Sequence, residues 1–261
     1  MAPLLAAARA RYRQLAAYAV ANRAGAFTNG LFLVFRAHLF QACFDAGRIG
    51  GLTPLQATGY AAVTQALLMV CPQWVNVGLA DTVRSGQIAV ELLRPADFVW
   101  LHFAGRAGAS AFYLVHRTLP LLVFAYAIGL APAPSPWSLA LCLVVVPLAA
   151  VVANALLFLV EVSSFWLESD RGVRYLLVGV ALLPSGLSLP LSWFPAPVQA
   201  LFLATPFPYT LHLPAEAFIG RIGPEQAVWA VGAQLAWAIG LVAASRWAFS
   251  RGVRRLVVLG G

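Results

Sequence analysis

Lysine is absent from this chain of 261 residues, and acidic side chains are scarce, with only nine aspartates and glutamates. The formal charge of +8 therefore comes entirely from arginine. In a soluble protein such a balance points to nucleic acid. Here the arginines fall in short clusters between apolar runs, the pattern of topology signals beside membrane helices, and no nucleic-acid partner is expected. Cysteine is also sparse. Cys43, Cys71 and Cys142 lie inside or at the rim of apolar runs without metal-ligand or Cys-x-x-Cys spacing, so they read as packing residues rather than disulfide or redox partners. His38, His102, His116 and His212 are scattered along the chain, which argues against a metal centre. Ser185 lacks a Gly-x-Ser-x-Gly frame, and the chain has no Walker sequence and no His-Glu-x-x-His. No catalytic residue, metal site or bound cofactor is expected of the chain itself.

What is abundant is apolar. Hydrophobic residues make up 61% and charged residues 10% of the chain, where soluble domains carry about a quarter charged. This composition, with a mean hydropathy of +0.82, defines an integral membrane protein, all-α by the length of its apolar runs. At roughly 20 residues per crossing, six spans fit and leave only short connections, so a single transmembrane domain over residues 1–261 is expected.

Met1 to Arg23 reads as an N-terminal interfacial helix. Leu4, Ala8, Tyr12, Leu15 and Ala19 form an apolar stripe, Arg9 and Arg13 point elsewhere, and no uninterrupted apolar stretch of a signal peptide follows. The first span runs from about Ala24 to Phe44. It carries Arg36 and His38 near its middle, where a charge costs about 3 kcal/mol on insertion scales. Both are candidates for a transport pathway, and a structural pairing of Arg36 stands equally open. Asp45 to Gln56 is a glycine-containing loop, and the second span, about Ala57 to Leu79, is expected to kink at Pro72.

Residues 80–98 form the one sizeable polar insert in the first half. If Ala80 to Arg94 is helical, Arg84, Gln87, Glu91 and Arg94 share one face, and Ile88, Ala89, Leu92 and Leu93 share the other. Pro95 must end such a helix, and Gly86 permits a break within it. A solvated connecting loop is the plainer alternative. Span three starts near Phe98 and is completed by Leu119 to Leu130. Span four covers Trp137 to about Val160, and span five begins at Tyr175. Residues 184–223 stay apolar yet contain Pro184, Pro190, Pro195, Pro197, Pro206, Pro208 and Pro214. Non-helical backbone cannot face lipid, so short re-entrant helices are expected there. Span six, about Gln226 to Arg246, precedes a basic tail. All nine carboxylates fall in loops or at span ends, so a mid-membrane acid for ion coupling is missing.

Arginine counts orient the chain. The N-terminus, the insert with the start of span three, the turn between spans four and five, and the C-terminus hold fourteen, against Arg48 and Arg221 on the other side. Both termini and the insert are thus expected in the cytoplasm and residues 184–223 on the outer side.

This order of parts resembles the permease subunit of a type-2 ABC exporter, and most closely the bacterial daunorubicin-resistance kind. Val83-Arg84-Ser85-Gly86 followed by Leu92-Leu93-Arg94-Pro95 resembles the segment that docks on the ATPase, although Gln87 stands where many relatives carry an acidic residue. Leu183 to Leu191, with Pro184, Gly186 and Pro190, then Thr205-Pro206-Phe207-Pro208 and Pro214 to Gly220, resemble the outer re-entrant region. The resemblance implies ATPase coupling through Arg84, Ser85, Gly86, Gln87, Glu91, Leu92, Leu93, Arg94 and Pro95. It also implies a dimer with a second or related permease, separate ABC ATPase subunits holding ATP and Mg, and residence among the lipids of the plasma (bacterial inner) membrane. The residues by themselves leave open a non-transport polytopic protein, such as an assembly factor or an intramembrane enzyme.

Overall fold

The computed structural model describes residues 1–45, 51–72, 79–93, 96–167 and 169–255. Among them there are helices and turns but no strand. Helix α1 (Ala2–Ala17) starts with Pro3 in its first turn, where a missing N–H costs nothing. It ends six residues short of Arg23 because Tyr18 leaves helical geometry, and the Asn22 side-chain amide donates to the Leu15 carbonyl that the break exposes. Helix α2 (Ala19–Asp45) then contains the whole first expected span.

α1 lies lengthwise on helix α6 (Phe98–Tyr113). Tyr12 meets the Phe112 ring edge-on at 5.4 Å and hydrogen-bonds His116 at 2.9 Å. Gly108 permits this approach: a Cβ there would stand 2.1 Å from the Ala8 carbonyl oxygen, a backbone atom that cannot swing aside. The expected stripe of Leu4, Ala8 and Tyr12 is therefore the contact face, cut off at Tyr18 before Ala19 can join it.

Helix α3 (Pro54–Leu67) opens with a capping box at Thr53 and Gln56, and Ala57 to Leu67 are all buried. Sequence reading expected a kinked span through Pro72. The helix instead ends at Leu67 and passes into turns up to Cys71, the residue before Pro72. Helices α4 (Leu79–Arg84) and α5 (Gln87–Leu92) follow, then α6. A π turn at Leu114–Thr118 joins α6 to α7 (Leu119–Ala127), its Leu119 N–H bonding the Leu114 carbonyl; Pro120 beyond it can supply no N–H to the ladder.

Helix α8 (Pro136–Val162) retains Pro147 internally; α9 (Arg171–Ala181) follows it. The proline-rich region contains short helices, as expected: α10 (Ala196–Leu203), α11 (His212–Phe218) and 3-10 turns at Leu191–Trp193 and Phe207–Tyr209. Helix α12 (Pro224–Val253) runs past Arg246, the expected end of span six, and takes in Arg251, which was expected to belong to a tail. Three stretches among the described residues are long and apolar enough to cross a membrane: Phe98–Ala127, Pro136–Phe165 and Pro224–Val253.

The interior is tied by polar side chains on backbone carbonyls, an economical glue where helices have little hydrophobic drive to associate. Thr118 Oγ1 donates to the Ala66 carbonyl at 2.7 Å, and Ser110 Oγ to that of Val70 at 2.9 Å. Gln234 on α12, wholly buried, donates to the carbonyls of Val145 and Tyr209, each at 2.9 Å. These bonds tie α6 and the π turn to α3 and the turn after it, and α12 to α8 and the Phe207–Tyr209 turn, while Asn154 of α8 reaches Ser110 of α6 at 3.4 Å.

Candidate functional site

The polar insert folds as two short helices rather than one. Gly86 takes φ +73°, a conformation that L side chains rarely adopt, and α5 starts immediately after it. This hairpin is seated on the ends of three longer helices. Leu79 and Ile88 pack with Val99 of α6, Phe158 and Val162 of α8, and Phe249 of α12, and Ile88 is fully buried. Beneath them Phe98 stacks on Phe249 with centroids 4.9 Å apart and planes 4° from parallel.

The outward side combines polar and apolar groups. Ser85, Gly86 and Gln87 are exposed, Glu91 is half-buried, Val90 is 66% exposed and Leu93 84% exposed. Sequence periodicity had placed Leu93 on the buried face with Ile88, Ala89 and Leu92. That assignment fails although Leu93 keeps helical backbone at the C-cap of α5: five residues on, it lies about 140° round the helix from Ile88, beyond the strip that the seat covers. Arg94 and Pro95 and the Arg84 side chain lie outside what the structure describes.

Directly behind the hairpin's seat is an ionic cluster that sequence reading missed. Arg106, 6% exposed, donates from Nη2 to Glu161 Oε1 at 2.6 Å, from Nη1 to Asn154 Oδ1 at 3.2 Å and from Nε to His102 Nε2 at 2.8 Å. Glu161 is fully buried. Its Oε2 sits 3.4 Å from His102 Nε2 and finds no hydrogen-bond partner among the described residues. The His102 ring also lies 4.8 Å from that of Phe158, the residue under Ile88. The arginine count places Arg106 and Arg117 at the start of span three, on the cytoplasmic side. Both are buried inside the Phe98–Ala127 helix, and setting them aside still leaves twelve arginines against two. A signal for the cluster was present: His102 and Arg106 are one turn apart, and Asn154 and Glu161 are two turns apart.

Arg36 and His38 are not brought together. Arg36 turns inward: its guanidinium donates to Gln65 Oε1 at 3.1 Å, to Thr64 Oγ1 at 3.3 Å and to the Leu187 carbonyl. His38, two residues on and so on another side of the helix, is exposed and bonds the Val34 carbonyl of its own helix at 2.8 Å. Arg36 thus fastens the segment holding Pro184, Gly186 and Pro190 to α2 and α3. All three are buried, and Gly186, at φ +78°, lets that segment pass where a Cβ would stand 2.0 Å from the Tyr60 hydroxyl. Tyr60 Oη in turn meets His212 Nδ1 at 2.9 Å. Pro214 is buried nearby on α11, Pro206 and Phe207 are half-buried, and Gly220 ends α11 at the surface with φ +79°.

Replacing Arg36 by methionine is expected to leave insertion intact and loosen this segment. A charge-assisted hydrogen bond contributes about 1.5 to 3 kcal/mol, so labelling of a cysteine at buried Ser185 should rise roughly tenfold or more. Unchanged labelling combined with loss of transport would assign Arg36 to the pathway instead.

Long apolar helices, polar side chains spent on internal carbonyls and a seated hairpin define a multi-pass, all-helical membrane protein. Residues 32–260 match the model of the ABC-2 family transporter protein family, and the chain belongs to that family. Membership makes it a membrane permease of an ABC transporter, whose partners are ABC ATPase subunits. No curated protein and no solved structure matches the chain.

Proposed function

We propose that this chain is the membrane-spanning subunit of an ATP-driven exporter and forms the translocation pathway as a dimer with a second copy or a related permease. Separate cytoplasmic ATPase subunits bind ATP and Mg, and the chain itself performs no chemistry. In this reading it crosses the bacterial inner membrane six times, through α2, the stretch from α3 to Leu79, α6 with α7, α8, the stretch from α9 toward Pro190, and α12. Both termini are cytoplasmic, α1 lies at the interface, and residues 184–223 form the outer re-entrant region.

The observation that carries the reading, beyond family membership, is the Leu79–Leu92 hairpin. It is anchored through Ile88 on the ends of α6, α8 and α12 while Gln87, Val90 and Leu93 stay uncovered. A rigidly seated element with an open mixed face is suited to pass a partner's movement to several helices at once. The test is affinity purification of the tagged chain from its native membranes together with cysteine labelling. An ABC ATPase should co-purify. Cysteines at Pro134 and Arg221 should react from outside and one at Gln87 only from the cytoplasm. External labelling at Gln87, or purification without any ATPase, would refute the proposal.

A further inference from the structure

A groove between α1, α6, α8 and α12 encloses about 480 Å³. Along α6 it runs from Trp100 to Leu114, about 21 Å at the helical rise of about 1.5 Å per residue. Its walls include Phe103, Val151 and Val242, and its two polar residues, Ser110 and Asn154, are already committed. Ser110 donates to the Val70 carbonyl, Asn154 donates to that of Ala150 and accepts from Arg106. The interior therefore offers little to a polar ligand and suits a hydrocarbon chain.

The mouth has a different character. Centred on the Phe98–Ala127 stretch, the roughly 20 residues that cross the hydrocarbon core run from about 103 to about 122. Trp100 then stands at headgroup level, Phe103 at the hydrocarbon edge and Leu114 within the hydrocarbon. Over the Trp100 ring, 5.3 Å from its centroid, lies the Arg246 guanidinium, one turn beyond Val242 on α12. Arg246 bonds Asp97 at 3.1 Å but keeps 44% of its side chain exposed. Arg246 and Asp97 line a hollow beside the groove, and a further one across Ala107 and Ala111 is lined by Arg9 and Arg13 with no carboxylate.

We propose that this groove is a binding site for an anionic phospholipid, with an acyl chain lying along α6 from Trp100 to Leu114 and the headgroup phosphate on Arg246. The apolar length selects a lipid, the basic rim selects negative charge, and the Trp-Arg pair sits at the depth where membrane proteins place such anchors. The inference rests on the membrane placement of α6, α8 and α12 and not on ATPase coupling, so it stands or falls separately from the export reading.

The test is native mass spectrometry of the delipidated protein re-exposed to equal amounts of phosphatidylglycerol and phosphatidylcholine with identical chains. Wild type should retain phosphatidylglycerol preferentially. Arg246→Gln should cut that preference about fivefold while total lipid persists. Val151→Trp, at a partly exposed wall position, should displace both lipids, and Ala104→Phe serves as a second groove-filling variant should the first fold poorly. Equal retention of the two lipids by wild type would overturn the proposal, as would an unchanged preference in Arg246→Gln. So would disulfide cross-linking between copies through Val151→Cys, with Cys43, Cys71 and Cys142 replaced, because it would give the groove to a second chain.

Discussion

Glu161→Ala is expected to destabilise the protein by about 3 to 5 kcal/mol, the effect of leaving one member of a buried ion pair without its partner. The argument rests on burial and geometry. Arg106 spends three nitrogens on Glu161, Asn154 and His102, and neither charged group has access to water sufficient to solvate it alone. Arg106→Ala should be comparably harmful, since it strands a fully buried carboxylate. Arg106→Met combined with Glu161→Leu should instead recover stability to within about 1 kcal/mol of wild type, because removing both charges also removes their desolvation cost. Thermal unfolding of the purified protein in detergent reads all four species. Single variants as stable as wild type would mean that the pair is hydrated and that its burial has no energetic weight. The cluster's position gives the experiment a second use. His102 touches Phe158, Phe158 packs under Ile88, and the ionic pair crosses from α6 to α8 just beyond. If movement of the hairpin reaches the long helices through this contact, the double variant should fold and bind its ATPase yet export poorly.

Much of this architecture was legible because membranes restrict backbone so severely. Long apolar runs had to be helices, and the proline-rich stretch after Ala181 had to become short helices held on protein. Gly86 was the one place in the insert where a break was inexpensive, and the chain turns there at φ +73°. What was not legible depended on distant partners or on helix ends. Arg106 and Glu161 are 55 residues apart, and each on its own looks like a charge at a span boundary. Arg36 likewise shows its role only when the Leu187 carbonyl, 151 residues later, folds back onto it. Leu93 lies about 140° round α5 from Ile88, and how wide a strip of that helix the seat covers is decided by α6, α8 and α12 and not by the periodicity of the insert. Before Pro72 the helix stops at Leu67 and does not bend, because the sequence marks where a helix cannot continue smoothly, but not which of the two it does.

The larger functional effect is expected at the hairpin's open face. Val90 and Leu93 are the most exposed apolar side chains of that element, and exposed apolar groups beside polar ones are characteristic anchors for a partner. If each fills a pocket on the ATPase, its loss costs about 2 kcal/mol, and the two together weaken docking roughly a thousandfold. Within the permease the same substitutions should stay within about 0.5 kcal/mol, since neither side chain is buried in the fold. The seat is a separate matter: Ile88→Ala should loosen the whole hairpin by about 2 to 5 kcal/mol. Carboxylates at positions 90 and 93 therefore separate docking from folding.

The decisive measurement is the amount of ABC ATPase recovered with equal quantities of membrane-inserted wild type and of the Val90→Asp, Leu93→Asp double variant, with export followed in the same cells. The coupling account predicts normal abundance of the variant, little or no recovered ATPase and no export. Wild-type recovery of the ATPase together with wild-type export would show that the hairpin is a connector and that coupling lies elsewhere on the chain.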